Sequence, residues 1–364
     1  MFLTTLRCLK SQANVDLTAV IPARGALNNE IEAMQVDVRL MSFEALRRVN
    51  LRVTGIPATT LRMIGSLPRI VSFLKETNAN VVFVNTIVCP IWILAGKLAK
   101  CRVVCHVHEN EADMSRLLRK ALLTPLKMSD LAIANSLDTA RWIVATIGQK
   151  HSVAVIYNGF DLPRDQPLRQ PIDCSAPVTL LVLGRLAHRK GQDVAIRALS
   201  ILKADGYQVK LQLVGDHFPG YEDYVDGLTR LVTELGLSDA VSFDGFAAEP
   251  KAFMTNATVM LVPSRAEPFG NVAVEGLGAG IPMVVSQVGG LPEIIKNEET
   301  GLCVPPDDPQ ALAAAVSRHL QNPHEAAQMS RAGFIDARKR FGLNAYRDGI
   351  VASVSGKVAD LNPL

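Results

Sequence analysis

No apolar run in these 364 residues approaches the roughly 18–20 uncharged positions needed to span a bilayer. The longest candidate, "NANVVFVNTIVCPIWILAGK" at residues 78–97, is interrupted by Asn and Thr residues and by Pro90. It reads as a strand, a loop and a helix start. The opening "MFLTTLRCLK" carries charge too early for a signal-peptide core. The six cysteines (Cys8, Cys89, Cys101, Cys105, Cys174, Cys303) contain no CxxC and no metal-ligand spacing. Reduced, buried thiols of a cytoplasmic protein are the expectation. No GxGxxG follows a strand-like run, and no acid stands about 20 residues beyond one, which disfavours a dinucleotide-dependent dehydrogenase. An acidic metal-binding pair of the DxD kind is also missing, so no bound metal is expected. No nucleic-acid partner is expected either.

What is present is a chain 48% hydrophobic and 20% charged, long enough for two domains. The net charge of +3 is unevenly spread. Residues 1–150 hold 19 Lys and Arg against 11 Asp and Glu, leaving 19 against 24 in the remainder. A basic front half suggests an anionic partner, such as a phosphorylated acceptor or lipid head groups.

Short β-branched runs alternate with helix-period segments. "VDLTAVI" (15–21), "VDVRL" (36–40), "NVVFVN" (80–85), "RVVCHV" (102–107), "LAIANS" (131–136) and "VAVIYN" (153–158) read as buried strands. Strands separated by helices imply a mostly parallel sheet covered on both faces. Residues 162–177, with four prolines and no periodicity, read as a linker. The rhythm then restarts at 178–186, 209–216, 240–246, 257–264, 282–287 and 301–306. The expected architecture is therefore α/β, with two doubly wound Rossmann-like domains and a ligand cleft between them. The first would span 1–161, with a helix near 343–364 packing back on it, and the second 178–342.

Three constellations carry chemistry. In "GRLAHRKGQD" (184–193) a strand ends at Gly184, and Arg185 and Lys190 flank a turn before a helix. Two fixed cations beside a helix amino terminus suit a diphosphate. In "AEPFGNVAVEGLGAG" (266–280) a strand-end loop leads into a helix, with Asn271 as the expected cap. The amides of Phe269, Gly270, Asn271 and Val272 would face the ligand with the helix dipole behind them. Glu267 precedes that terminus and Glu275 lies one turn inside it, two acceptors suited to sugar or ribose hydroxyls. "VGGLPEII" (288–295) adds a glycine-rich turn at the same sheet edge. In the front half, "CHVHENE" (105–111) puts His108 and Glu109 at a strand's carboxyl end.

Together, "GRL…KG" at 184–191, "EPFGNVAVE" at 267–275, "GIPMVVSQVGGLPEII" at 280–295, "TGLCVPPDD" at 300–308 and "NGFD" at 158–161 resemble the family 4 retaining glycosyltransferases, which have the GT-B fold. The resemblance covers most of 158–320. It implies that Arg185 and Lys190 bind the donor diphosphate and that Glu267 contacts the donor hexose. It further implies that Glu275 holds the nucleotide ribose and that Gly270 and Asn271 offer backbone to the sugar, with Gly184 lining the same site. His108 matches a front-domain residue near the sugar on a looser alignment. The implied activity is metal-independent, cofactor-free hexosyl transfer from a nucleotide diphosphate sugar to a glycan or lipid-linked acceptor, with retention, as in polysaccharide biosynthesis.

At its start the chain departs from that pattern. A first strand and glycine-rich loop normally precede the helix on which Met1 falls, and the expectation is a front domain missing its first, middle strand. A nucleotide-sugar-binding chain without turnover is one rival reading, and a GT-B nucleotide-sugar epimerase is another. Residues 115–127, "SRLLRKALLTPLK", mix Arg116, Arg119, Lys120 and Lys127 with Leu117, Leu118, Leu122 and Leu123 and suggest a helix resting on the anionic inner face of a membrane.

Overall fold

The computed structural model describes residues 1–46, 56–110, 114–148, 151–167, 172, 173, 175 and 177–357. Parts of the expected linker, Cys174 and the last residues of the expected 343–364 helix lie outside them. The chain forms two units, Met1–Gly159 with Leu343–Leu364, and Phe160–Gly342. Each of the twelve runs read as strands contains one.

In the first unit, β1 (Thr18–Ile21) and β2 (Asp37–Leu40) form a parallel pair. Strands β3 (Val81–Val84), β4 (Arg102–Val107), β5 (Leu131–Ala134) and β6 (Val153–Val155) form a second parallel sheet in that order. The expectation is a front sheet without its middle strand, the one between β1 and β3. Among the described residues the strands form two sheets, with no strand joining β1 to β3. Every residue of β5 is buried, as is all of β4 after Arg102. Continuous apolar runs of this kind suit parallel strands, which are covered on both faces. One face packs on Ile70 and Leu74 of the helix Ile56–Glu76 and on Ile91 and Ile93 of Pro90–Leu98. Against the other lie Cys8 and Leu9 of the helix Phe2–Lys10, with Tyr346 and Ile350 of Leu343–Ser355. A buried 2.6 Å hydrogen bond between the Tyr346 and Thr5 hydroxyls ties those two helices together. Alone, either hydroxyl would be costly to bury there.

The second unit is one six-stranded parallel sheet of β7 (Val178–Leu183), β8 (Val209–Val214), β9 (Val241–Gly245), β10 (Val259–Val262), β11 (Met283–Ser286) and β12 (Leu302–Val304). Its order is β12-β11-β10-β7-β8-β9. The chain winds outward from β7 in one direction, then returns to β7's other side and winds outward again. Helix starts follow the local chemistry. Asp308 Oδ1 accepts from the Ala311 N–H at 2.9 Å, and Pro309 opens the helix Pro309–Gln321. The start of the proline-rich stretch belongs to this unit. Leu162 lies against Gly278, and the Arg164 carbonyl accepts from Arg338.

Candidate functional site

Strand order reverses between β7 and β10, which are paired neighbours although β8 and β9 intervene in sequence. In doubly wound sheets the carboxyl ends at such a switch point border the ligand crevice. Here those ends carry the first two constellations.

After β7, Gly184 leads to Arg185 and then to the short 3-10 turn His188–Lys190. Gly191 ends that turn in the left-handed region, φ 67°, and caps the helix Gln192–Ala204. A Cβ at Gly191 would lie 2.0 Å from the Pro263 carbonyl oxygen, so only glycine lets the two loops approach this closely. After β10, Ser264, Arg265 and Glu267 follow in the adjacent loop. The Lys190 ammonium forms an ion pair with the Glu267 carboxylate, and both side chains are nearly buried, at 13% and 9% exposure. The Ser264 hydroxyl donates to the same carboxylate at 3.4 Å. Removing either charge from a buried pair typically costs about 3–5 kcal/mol, because the other is left uncompensated.

The glycine-rich turn after β11 packs beneath this loop. A Cβ at Gly289, φ 54°, would sit 1.9 Å from the Glu267 carbonyl oxygen, and the Gly290 N–H donates to that oxygen at 3.0 Å. Its role is to seat the Glu267 backbone.

Arg185 is exposed, and its guanidinium carbon stands 3.6 Å from the centre of the Phe218 ring. Such stacking is worth about 0.5–1 kcal/mol at exposed sites, weak enough for an anionic ligand to compete.

The expected cap of the next helix is corrected. Gly270, φ 116°, occupies the cap position of Asn271–Gly278, and Asn271 is its first helical residue. Glycine fits because the chain turns through the left-handed region there. The Phe269 ring is buried against Phe341, with centroids 5.7 Å apart, so this residue presents only backbone to a ligand. Val272 is half-buried in the first turn. Glu275 is half-buried, and its carboxylate has no hydrogen-bond or ion-pair partner among the described residues. Burial pushes its pKa up. A half-buried carboxylate without a counter-charge is costly, and a ligand hydroxyl would relieve it.

In the first unit, the carboxyl ends of β3, β4 and β5 bring together Asn85, His108 and Asn135. His108 Nε2 lies 3.4 Å from Asn85 Oδ1, and the Asn135 amide donates to the His108 carbonyl at 3.4 Å. Burial lowers the His108 pKa to about 4. It is therefore neutral across the physiological range. Glu109 accepts from the Thr86 hydroxyl and the His108 N–H, and burial raises its pKa. His106, fully buried on β4, lies against His108 with ring centroids 4.0 Å apart and planes tilted by 43°, and neither of its ring nitrogens has a partner among the described residues.

Sequence reading missed Arg265, Asp193 and Ser264, which surround the Lys190–Glu267 pair. Their only signal was proximity to the named motifs.

Two family models match this chain. Residues 172–336 match "Glycosyl transferases group 1" and residues 5–164 match "Glycosyltransferase Family 4". Glycosyltransferase MJ1607 of Methanocaldococcus jannaschii is 39% identical over 145 residues, which are 39% of this chain and 36% of that protein. The lipopolysaccharide core biosynthesis glycosyltransferase LpsD of Rhizobium meliloti is 33% identical over 208 residues, 56% of this chain and 58% of that one. The chain thus spans about a third and somewhat over half of these two relatives. Anabaena HepE, solved in complex with UDP-glucose, superposes with a TM-score of 0.81 at 24% identity, covering 97% of this chain and 95% of that one. The two matched glycosyltransferase domains take in nearly the whole chain, the family 4 domain on the parallel strands β1 to β6 and the group 1 domain on the six-stranded sheet, in the two-domain GT-B fold that HepE shares.

Proposed function

We propose that the chain moves a hexosyl group from a nucleotide diphosphate sugar to a glycan or lipid-linked acceptor, with retention and without a metal ion. The observation that carries this reading is the Lys190–Glu267 pair at the switch point, with Arg185 in the same loop after β7 as Lys190. HepE, whose fold this chain shares, has been solved with UDP-glucose, which supports a UDP-sugar donor. LpsD, by its name, acts in lipopolysaccharide core synthesis, which supports a glycan or lipid-linked acceptor.

The chemistry follows from charge. Cleavage between the anomeric carbon and the diphosphate develops positive character on the sugar and negative charge on the departing phosphate. Lys190, with three N–H donors, can keep Glu267 and still meet a phosphate oxygen. Arg185 leaves the Phe218 face to add a second charge-assisted contact. The amides opening the helix Asn271–Gly278 add the positive end of a dipole. Contacts that strengthen with the developing charge lower the barrier, by about 3 kcal/mol for each strong donor. Glu267 then accepts from hexose hydroxyls and Glu275 from the ribose. The acceptor oxygen bonds to the anomeric carbon on the face the phosphate leaves, and the acceptor proton passes to a phosphate oxygen.

A thermal-shift screen of UDP-, GDP-, ADP- and TDP-sugars identifies the donor, and nucleotide release with acceptor tests turnover. Stabilisation without release, on glycan and lipid acceptors alike, would favour the binding-only reading. Inversion of the product's anomeric configuration overturns retention, and loss of rate in EDTA overturns metal independence.

A second reading concerns the acceptor side. In the helix Arg116–Leu123, Leu122 and Leu123 are buried in the unit's own core, which uses most of the apolar face. Leu117 is 81% exposed beside the exposed Arg116 and Lys120. That leaves one apolar contact flanked by cations, which supports peripheral contact with an anionic bilayer. Flotation with anionic vesicles at low salt tests it, and absence of binding removes the idea. No helix among the described residues is long and apolar enough to cross a membrane.

A further inference from the structure

Arg265 lies two residues before Glu267 and is itself largely enclosed, with its side chain 18% exposed. Its backbone N–H donates to the Arg189 carbonyl at 2.8 Å, and its Nη1 donates to the His188 carbonyl at 2.7 Å. The same fork meets both oxygens of Asp193, at 2.8 and 2.7 Å, and Nε pairs with Asp307 at 2.5 Å. Asp193 stands in the first turn of the helix that follows Lys190. Burial alone would raise the Asp193 carboxyl, but hydrogen bonds and charge from Arg265 outweigh it and hold it below the ordinary range. The network continues to the other cation. The Tyr224 hydroxyl lies 2.9 Å from Asp193 Oδ1 and 3.2 Å from Gln192 Oε1, and the Gln192 amide donates to the Arg185 carbonyl at 2.9 Å.

Lys190 is thus bracketed on both sides. Its preceding residues are held through the His188 and Arg189 carbonyls, and its following helix through Asp193. One rigid guanidinium makes the side-chain contacts on both sides, and no other residue type offers donors in that planar, five-pronged geometry. An ordinary ion pair between a loop and a helix would need only the carboxylate. The His188 carbonyl, a main-chain group within the turn, is what ties the guanidinium to the position of Lys190.

We propose that Arg265 is a positioning residue of the transfer reaction: it clamps the His188–Lys190 turn against the Glu267 loop and so sets where the Lys190 ammonium meets the donor diphosphate. The inference rests on the reading of Lys190 as a diphosphate contact.

The test is a double-mutant cycle on the full chain, reading kcat and KM for the donor sugar, UDP affinity by calorimetry, and Tm. Arg265→Lys keeps the charge and loses the fork. It is expected to lower kcat about tenfold, since a small misplacement of a catalytic group is expensive. In a Lys190→Ala background the same change should alter kcat and UDP affinity by less than about twofold, the limit within which independent effects add. Asp193→Asn removes the paired carboxylate with little change of volume and should repeat the pattern, which keeps the test valid if Arg265→Lys folds poorly. A merely structural clamp gives a lowered Tm with equal fold losses in both backgrounds, and that result overturns the proposal. An unchanged kcat in Arg265→Lys overturns it as well. A wild-type chain that neither binds UDP nor releases it from UDP-sugars sinks the functional reading and this inference together, whereas active wild type with additive losses sinks this inference alone.

Discussion

Lys190 and Glu267 stand 77 positions apart in the chain and meet as a nearly buried ion pair where β7 and β10 lie side by side. Each comes from a different strand-end loop, and glycines allow the close approaches around both: a Cβ at Gly191 would strike the Pro263 carbonyl, and one at Gly289, in the turn beneath, the Glu267 carbonyl. The pair therefore reports on the whole switch point.

Lys190→Ala should lower both stability and turnover. It leaves the Glu267 carboxylate buried without its partner, a loss of about 3–5 kcal/mol by analogy with other buried pairs. Turnover should fall about 10²- to 10³-fold, as for loss of one preorganised donor. Denaturant titration and nucleotide release measure the two effects. Lys190→Met with Glu267→Leu should recover much of the stability and none of the activity, and recovery of activity would refute the assigned roles.

Glu275→Gln should separate stability from binding. Burial raises the Glu275 pKa, so the folded chain holds its proton more tightly than the unfolded chain. Stability from this group is accordingly lost as pH rises from the ordinary carboxylate range through the raised value. The variant should melt higher than wild type at pH 7 without ligand, and the gain should vanish in acid. Its affinity for the nucleotide should fall about tenfold, the loss expected when a charged acceptor becomes neutral. Equal affinity would remove the ribose role.

Gly191→Ala should be destabilising by more than about 1 kcal/mol, because alanine is strained at positive φ and its Cβ would meet the Pro263 carbonyl at 2.0 Å. The backbone must shift at the residue after Lys190, so activity should fall with it. A variant with wild-type Tm and rate would show that the two loops separate freely.

The first unit should weaken in mild acid. The His106 and His108 imidazoles are buried, which lowers both pKa values, His108 to about 4 from an ordinary 6.5. The unfolded chain binds their protons first as pH falls, so stability is full above about pH 6.5 and declines toward pH 4. His106→Leu should flatten this decline, since its ring nitrogens have no partner to lose. Circular-dichroism melts from pH 8 to pH 4.5 on wild type and variant check it. Parallel curves would place the acid sensitivity elsewhere.

Much of this protein is legible residue by residue. The strand Leu131–Ala134 is set by a short apolar run and Val209–Val214 by an alternating one, with Gly215 turning the chain after the second, because those preferences act over a few neighbouring residues. The loops at 184–191 and 266–275 could likewise be assigned to strand ends, with their charges and amides, before any fold was known. Asn271 shows the limit of that local reading. It looks like a cap, yet the chain turns one residue earlier, at Gly270.

Strand order could not be read this way. That β10 returns beside β7, bringing Glu267 onto Lys190 and the Arg265 fork onto Asp193, depends on how six strands share one buried sheet. Periodicity says which face of a segment is buried. Which segments pair is decided only when the whole core closes, because contacts between distant residues are made there and nowhere earlier.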